Sequence, residues 1–269
     1  MAGLKYPVLL VHGMGFRDRK HLNYWGRIPG VIEAEGNTVL YGNQDANGSV
    51  VTNGEYLAER VRRIAEEHGI EKFNVIAHSK GGVDIRYAIS TLKINDLVAS
   101  VTTINTPHNG SVTLDHLLKF PDFLIRFGCK VTDLWFRLLG DKKPDTYRTI
   151  KDMETGNSAE FNRKNPDDPN IYYQSYAFSC KKVTSDVWLW FTNLVVKHYE
   201  GENDGLLAPR ALKWANFRGH FRSATNRGIS HFDEVDFRRR PLTRKKLDGI
   251  TDITDFYRDM VRELAGMGF

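Results

Sequence analysis

The stretch that most constrains this chain runs from Phe73 to Gly82. Apolar Phe73, Val75, Ile76 and Ala77 stop abruptly at His78-Ser79-Lys80-Gly81-Gly82, and a helix-compatible segment, Val83 to Leu92, follows at once. A strand that turns this sharply into a helix lifts the residue at its apex to the top of a sheet, and its strained backbone requires small neighbours. Ala77 and Gly81 stand two residues before and two after Ser79, in the pattern Ala-x-Ser-x-Gly. Ser79 is therefore the candidate nucleophile. The bland alternative for these five residues is an ordinary turn that happens to contain serine.

What surrounds the turn fits an α/β chain. Tyr6 to Val11 is a short continuous apolar run, the pattern of a strand buried on both faces of a parallel sheet. Thr38 to Tyr41 and Val98 to Ile104 read as further strands. Between them, Asn53 to Glu67 places Leu57, Val61 and Ile64 at helical spacing among charges, with His68-Gly69 as its stop. Strand, helix, strand, helix, strand predicts a mostly parallel, doubly wound sheet. Right-handed crossovers would gather the loops at the carboxyl ends of the strands. Tyr172 to Phe178 reads as a later strand and Ile253 to Leu264 as a closing amphipathic helix.

Two segments are too apolar for connectors. Leu114 to Leu139 carries Phe120, Phe123, Phe127, Leu134 and Trp135 among others, and Val187 to Val196 carries Trp188, Trp190 and Phe191. The first is either a pair of core helices or a mobile cover over an apolar pocket. The second is a candidate pocket wall. Hydrophobic content of 41% provides material for a sizeable core, and no apolar run reaches membrane-spanning length. Met-Ala-Gly-Leu-Lys-Tyr-Pro leads directly into a strand and lacks the layout of a secretion signal. Cys129 and Cys180 match no metal spacing and are expected as free buried thiols. The net charge of +5 is concentrated in Arg238-Arg239-Arg240 and Arg244-Lys245-Lys246. Without aromatic interleaving this patch reads as solvated surface rather than a nucleic-acid site.

A serine hydroxyl needs a base, and histidine titrates near neutrality. In this architecture the order is serine, acid, histidine. Among nine histidines, His12, His21, His68, His78, His108 and His116 come too early, His198 precedes Asp204, and His220 lies in a segment of uncertain structure. His231 is the last histidine and follows Asp204, which is the favoured acid; Asp233 competes but stands only two residues beyond the ring. His12-Gly13-Met14-Gly15, after the first strand, can aim a backbone N–H at a reacting centre. Met14 and Lys80 are the expected oxyanion donors, with the Lys80 side chain pointing outward and His12 pinning the loop.

The chain resembles the bacterial true lipases of the Pseudomonas and Burkholderia type, which have an α/β-hydrolase fold. The likeness rests on Tyr6 to Met14, Tyr24-Trp25 with Ile28-Pro29, His78 to Gly82, Thr106-Pro107-His108 with Gly110-Ser111, Ala159 to Asn162, Asn203 to Leu206 and His231 to Val235. It implies a single domain with a lid insertion at about 112–165, the triad Ser79, Asp204 and His231, and no organic cofactor. It also implies one structural calcium near the histidine loop, held by Asp233, by Asp186 and by the backbone carbonyls of Phe237 and Pro241. The expected activity is ester hydrolysis, with acylglycerols at a lipid–water interface as substrates. A soluble-ester esterase, an acyltransferase and a non-catalytic lipid-binding protein are the alternatives. Ala77 and Lys80 depart from the family's usual residues. The family's disulfide near the acid cannot form, because no cysteine follows Asp204. Secretion is implied by resemblance only.

Overall fold

Alternation along the first strand sorts the core into two layers. In the computed structural model, which describes residues 3–18 and 23–269, Val8–Val11 (β1) is buried along its whole length. Leu9 and Val11 join one apolar cluster, while Val8 and Leu10 join another on the opposite face. Successive side chains of a strand point to opposite faces, so a strand covered on both sides must be apolar throughout. Each fully buried Leu or Ile of this kind contributes about 1.5–3 kcal/mol relative to exposure.

The sheet has six strands, with Val39–Tyr41 (β2), Phe73–His78 (β3), Val98–Ile104 (β4), Tyr172–Phe178 (β5) and Asn216–Phe221 (β6) completing it. Their order is β2-β1-β3-β4-β5-β6 and every pairing is parallel. The doubly wound parallel sheet expected from the alternation of elements is what forms. One layer over it contains Ile28–Ala34 (α1) and a C-terminal helix whose Tyr257, Met260 and Val261 pack with Ile28 and Ile32. The other contains Val50–His68 (α2) and Lys80–Ser90 (α3), with Leu57, Val61, Ile64, Ile85 and Ile89 facing the strands. The α2 helix starts where Ser49 accepts from the Thr52 N–H and stops at Gly69, whose φ of 63° is left-handed. Edge strand β6 carries no clear strand signal, because Asn216, Arg218, Gly219 and His220 interrupt its apolar residues.

The Leu114–Leu139 segment does not form core helices. It builds Val112–Leu117 (α4), with no buried residue, and Asp122–Leu138 (α5), in which only Cys129 is buried. The side of α5 that meets the body is narrow and mixed: Cys129 is buried, and Ile125, Thr132, Asp133 and Phe136 are partly buried. Asp133 accepts from the N–H of Thr146 at 2.7 Å, Tyr147 donates to Asp122 at 2.6 Å, and the Arg126 guanidinium lies 4.0 Å from the Tyr147 ring. Phe123, Phe127 and Leu138 are 70%, 68% and 75% exposed. Both partners of Arg126 and Asp133 lie in or beside Thr146–Asp152 (α6). Thr155–Lys164 (α7) follows, then Trp190–Glu200 (α8), whose Trp190, Phe191 and Leu194 also face outward, then Pro209–Leu212 (α9) and Ile253–Gly266 (α10). Cys129 and Cys180 are free and buried. No helix among the described residues is long and apolar enough to cross a membrane.

Candidate active site

Because all six strands run the same way, the turns after β1, β3, β4 and β5 gather at one edge of the sheet. Ser79 sits between β3 and α3 with φ 52° and ψ −135°, a conformation that a residue with a Cβ adopts only under strain, at a cost of about 1–3 kcal/mol. Tight surroundings hold it there. The Ser79 N–H donates to the Ile104 carbonyl at 2.9 Å, and the Gly82 N–H donates to the Ser79 carbonyl at 3.1 Å. A Cβ at Gly81 would stand 2.3 Å from the His12 carbonyl oxygen, and one at Gly82 would stand 2.2 Å from the Thr106 hydroxyl. A Cβ at Gly13 would lie 2.7 Å from the Ser79 Cβ. The glycines thus let the β1 loop close directly onto the serine.

That loop is pinned by His12, as expected. The buried ring has Nδ1 2.8 Å from the Gly13 carbonyl and Nε2 3.0 Å from the Gln44 carbonyl, and burial lowers its pKa to about 4. Met14 follows, half-buried. Among the described residues, neither the Met14 N–H nor the Lys80 N–H donates a hydrogen bond to another group. The Lys80 side chain corrects the expectation of an outward orientation. It is buried, with its ammonium 2.5 Å from Asp84 one helical turn on. Burial raises the Asp84 pKa to about 6, despite the opposing pull of Lys80 and of a hydrogen bond from Asn53.

Asp204 and His231 meet below this edge. His231 Nδ1 is 2.7 Å from Asp204 Oδ2, and the His231 N–H donates to the Asp204 carbonyl at 2.9 Å. The imidazole of His231 lies 4.5 Å, centroid to centroid, from that of His78, the residue before Ser79. Asp204 is fully buried. Burial favours its neutral form, but the His231 ring, the Asn105 amide at 2.6 Å and the Leu206 N–H at 2.7 Å outweigh this and hold its pKa below the usual value. With Nδ1 engaged, Nε2 is the nitrogen left to exchange protons. Asp233, the competing acid, faces Ser230 and Arg238 instead.

Glu234 was not anticipated. Its carboxylate is buried 3.6 Å from His231 Nδ1, 2.8 Å from His78 Nε2 and 2.8 Å from the Asn105 amide. Burial, reinforced by the neighbouring Asp204 charge, raises its pKa well above the carboxylate range and favours the protonated form. Burial and the nearby His231 lower the His78 pKa well below normal. A neutral His78 can donate to Glu234 and accept from the Tyr24 hydroxyl, 2.6 Å from Nδ1. The donor atoms of His78, His231 and Glu234 lie within 4.8 Å of one another, and these hydrogen bonds already engage them. The remaining histidines stand apart from the acid: His108 bonds Thr103 and Arg86, His116 stacks on Tyr199, and His220 meets Ser179, while His21 lies outside the described residues.

The two aspartates that the resemblance assigns to calcium do converge. Asp186 and Asp233 both flank the Ser230 hydroxyl, at 2.7 and 2.9 Å. Between them, however, lies a side chain: Arg238 reaches Asp186 at 2.8 Å and Asp233 at 2.5 Å. The Phe237 carbonyl accepts from Arg239 at 3.3 Å, and Pro241 borders the adjoining cavity.

A family model described as palmitoyl protein thioesterase matches residues 7–162, more than half of the chain. The chain belongs to the palmitoyl protein thioesterase family. The match covers the Met14 loop and Ser79; Asp204 and His231 lie beyond it. The family member is 27% identical to Triacylglycerol lipase 2 of Saccharomyces cerevisiae, over 94% of this chain and 78% of the yeast protein. It is 38% identical to a triacylglycerol lipase of Burkholderia plantarii over 42% of this chain, spanning a third (33%) of that relative's length. The resemblance to bacterial lipases is thus borne out. In structure it superposes on Staphylococcus hyicus lipase with a TM-score of 0.72 at 18% identity, covering 98% of both chains. The palmitoyl protein thioesterase family member has the α/β-hydrolase fold.

Proposed function

We propose that this protein is a serine carboxylic-ester hydrolase that cleaves acylglycerol esters through an acyl-enzyme. The observation that carries the reading is the 2.7 Å bond between Asp204 and His231, whose ring lies 4.5 Å from that of His78, the residue before a serine held in a strained turn. Ser79 Oγ attacks the ester carbonyl carbon and passes its proton to His231 Nε2. The tetrahedral oxyanion is held by the N–H groups of Met14 and Lys80, and collapse expels the alcohol with the proton from His231. Water then attacks the acyl-serine by the same route and releases the carboxylic acid. Asp204 orients the imidazole and stabilises its cation. The outward apolar faces of α5 and α8 support action at a lipid surface, with 112–165 as the lid-bearing insertion.

Ser79→Ala should abolish labelling by a fluorophosphonate and reduce ester turnover by at least about 1,000-fold. Comparable labelling of both proteins would remove the assignment and favour a non-catalytic lipid-binding role. The family description favours a second reading, an acyl thioester as substrate, since the same acyl-enzyme serves both. Turnover of a triacylglycerol emulsion against a palmitoyl thioester, at matched enzyme concentration, ranks the two.

A further inference from the structure

The cation that ties the histidine loop together belongs to the chain itself. Asp186 follows the short turn Val183–Ser185, and Asp233 opens the turn Asp233–Val235 just after His231. Two carboxylates this close repel each other unless a positive charge separates them. The Arg238 guanidinium supplies that charge, with one nitrogen on each. A planar fork of donors suits this task better than a point charge.

A calcium ion would need six to eight oxygen ligands. Here the oxygens facing the gap are already engaged. Asp186 Oδ2 takes the Ser230 hydroxyl and Arg238, Asp233 Oδ1 takes Arg238, and Asp233 Oδ2 takes the Ser230 N–H. The other Asp186 oxygen accepts the Trp188 N–H at 2.9 Å. The adjoining cavity, of about 300 Å³, is lined by Arg227, Arg238, Arg240 and Arg244, with Asp233 as the one acid on its wall. Its field disfavours an incoming divalent cation. The donor set does not fit calcium while Arg238 is in place.

We propose that Arg238 is an internal replacement for the structural calcium of the bacterial lipases this chain resembles, and that it positions His231 through Ser230 without any metal. The Ser230 hydroxyl lies 2.7 Å from Asp186 and 2.9 Å from Asp233, and the backbone N–H groups of Ser230 and Asp233 each donate to the other's side chain at 3.2 Å. Fixing that pair restrains the two residues between them in the chain, His231 and Phe232. The positioning role rests on the proposed hydrolase reading; the metal independence does not, because unfolding is measured without substrate.

The test compares thermal unfolding and hydrolysis of a soluble p-nitrophenyl ester, in excess EDTA and in millimolar calcium chloride. The unaltered protein should show the same Tm within about 1 °C and the same kcat in both. Arg238→Ala should lower Tm by about 5 °C or more and cut kcat with KM little changed. Recovery of both on adding calcium, in the variant alone, supports the replacement. A saturable rise in Tm with calcium in the unaltered protein overturns it, whatever the variant does. Arg238→Ala with an unchanged Tm and kcat overturns the positioning role. If Arg238→Ala does not fold, Arg238→Lys replaces it; a Lys variant that matches the unaltered protein in both readouts overturns the need for the fork.

Discussion

The floor beneath Ser79 and the arm formed by α5 and α8 invert each other's chemistry. In the floor, Tyr24, His78, Asn105, Asp204, His231 and Glu234 are polar and buried, and each makes a hydrogen bond to another of them. In the arm, phenylalanines, tryptophans and leucines face outward, while Cys129 is buried and Asp133 bonds the N–H of Thr146. Buried polar groups are stable only in a fully satisfied network, which then holds one geometry. An outward apolar stripe contributes nothing to the fold and acquires value only against another apolar phase. On the proposed reading the floor stays in place and the arm meets a lipid surface.

The largest effects should come from breaking the floor. Asp204→Asn should lower kcat by about 10³–10⁴-fold with the fold retained, since the imidazole loses the partner that sets its tautomer; circular dichroism and ester turnover read both. A loss below tenfold would mean that the floor does not orient His231. Lys80→Met comes next, because it strands Asp84 in the interior, and should cost about 3–5 kcal/mol in urea unfolding at pH 8. The sign with pH is fixed by the acid. A carboxyl whose pKa rises on folding, here to about 6, favours the folded state most below its unfolded value and loses that advantage as pH rises through 6. Without Lys80 its pKa rises further, so the loss continues above pH 6. The gap between the variant and the unaltered protein should widen from pH 5.5 to pH 8; a constant gap would show that the pair is not coupled.

The arm should answer differently. Phe127→Ser with Leu134→Ser should change unfolding free energy by no more than about 0.5 kcal/mol. Hydrolysis of an emulsion should fall several-fold while that of a dissolved ester holds. Equal losses on both substrates would merge the two regions into one. The smallest effect is expected at Glu234→Gln. A neutral amide mimics a protonated carboxyl, so kcat should change by less than about threefold and Tm by a few degrees. A collapse of activity would show that the charge on Glu234 matters.

What could be read in advance follows the range of the interactions. The Ser79 turn depends on local size limits at Ala77 and Gly81, and the strands depend on short apolar runs, so both were legible. Asp204 and His231 were reached through their order after the serine. Lys80 misled because a lysine at a helix start ordinarily faces water; its spacing of four from Asp84 was the available signal. Glu234 and His78 are 156 residues apart in sequence and only their packing joins them. The Asp186–Asp233 pair was foreseen through resemblance, whereas Arg238 between them had been read as part of a solvated basic patch. Strand β6 was missed because an edge strand need not be apolar on both faces.

The strand order also governs synthesis. β1 lies between β2 and β3, so a growing chain cannot seat its first strand on both sides until Phe73–His78 has left the ribosome. Parallel pairings over such separations form slowly and leave apolar edges open meanwhile. Ser79 is made with β3, but Asp204 and His231 follow β5. On the proposed reading, the Ser79 hydroxyl of a nascent chain stays inert until Asp204 and His231 have also emerged and packed beneath it.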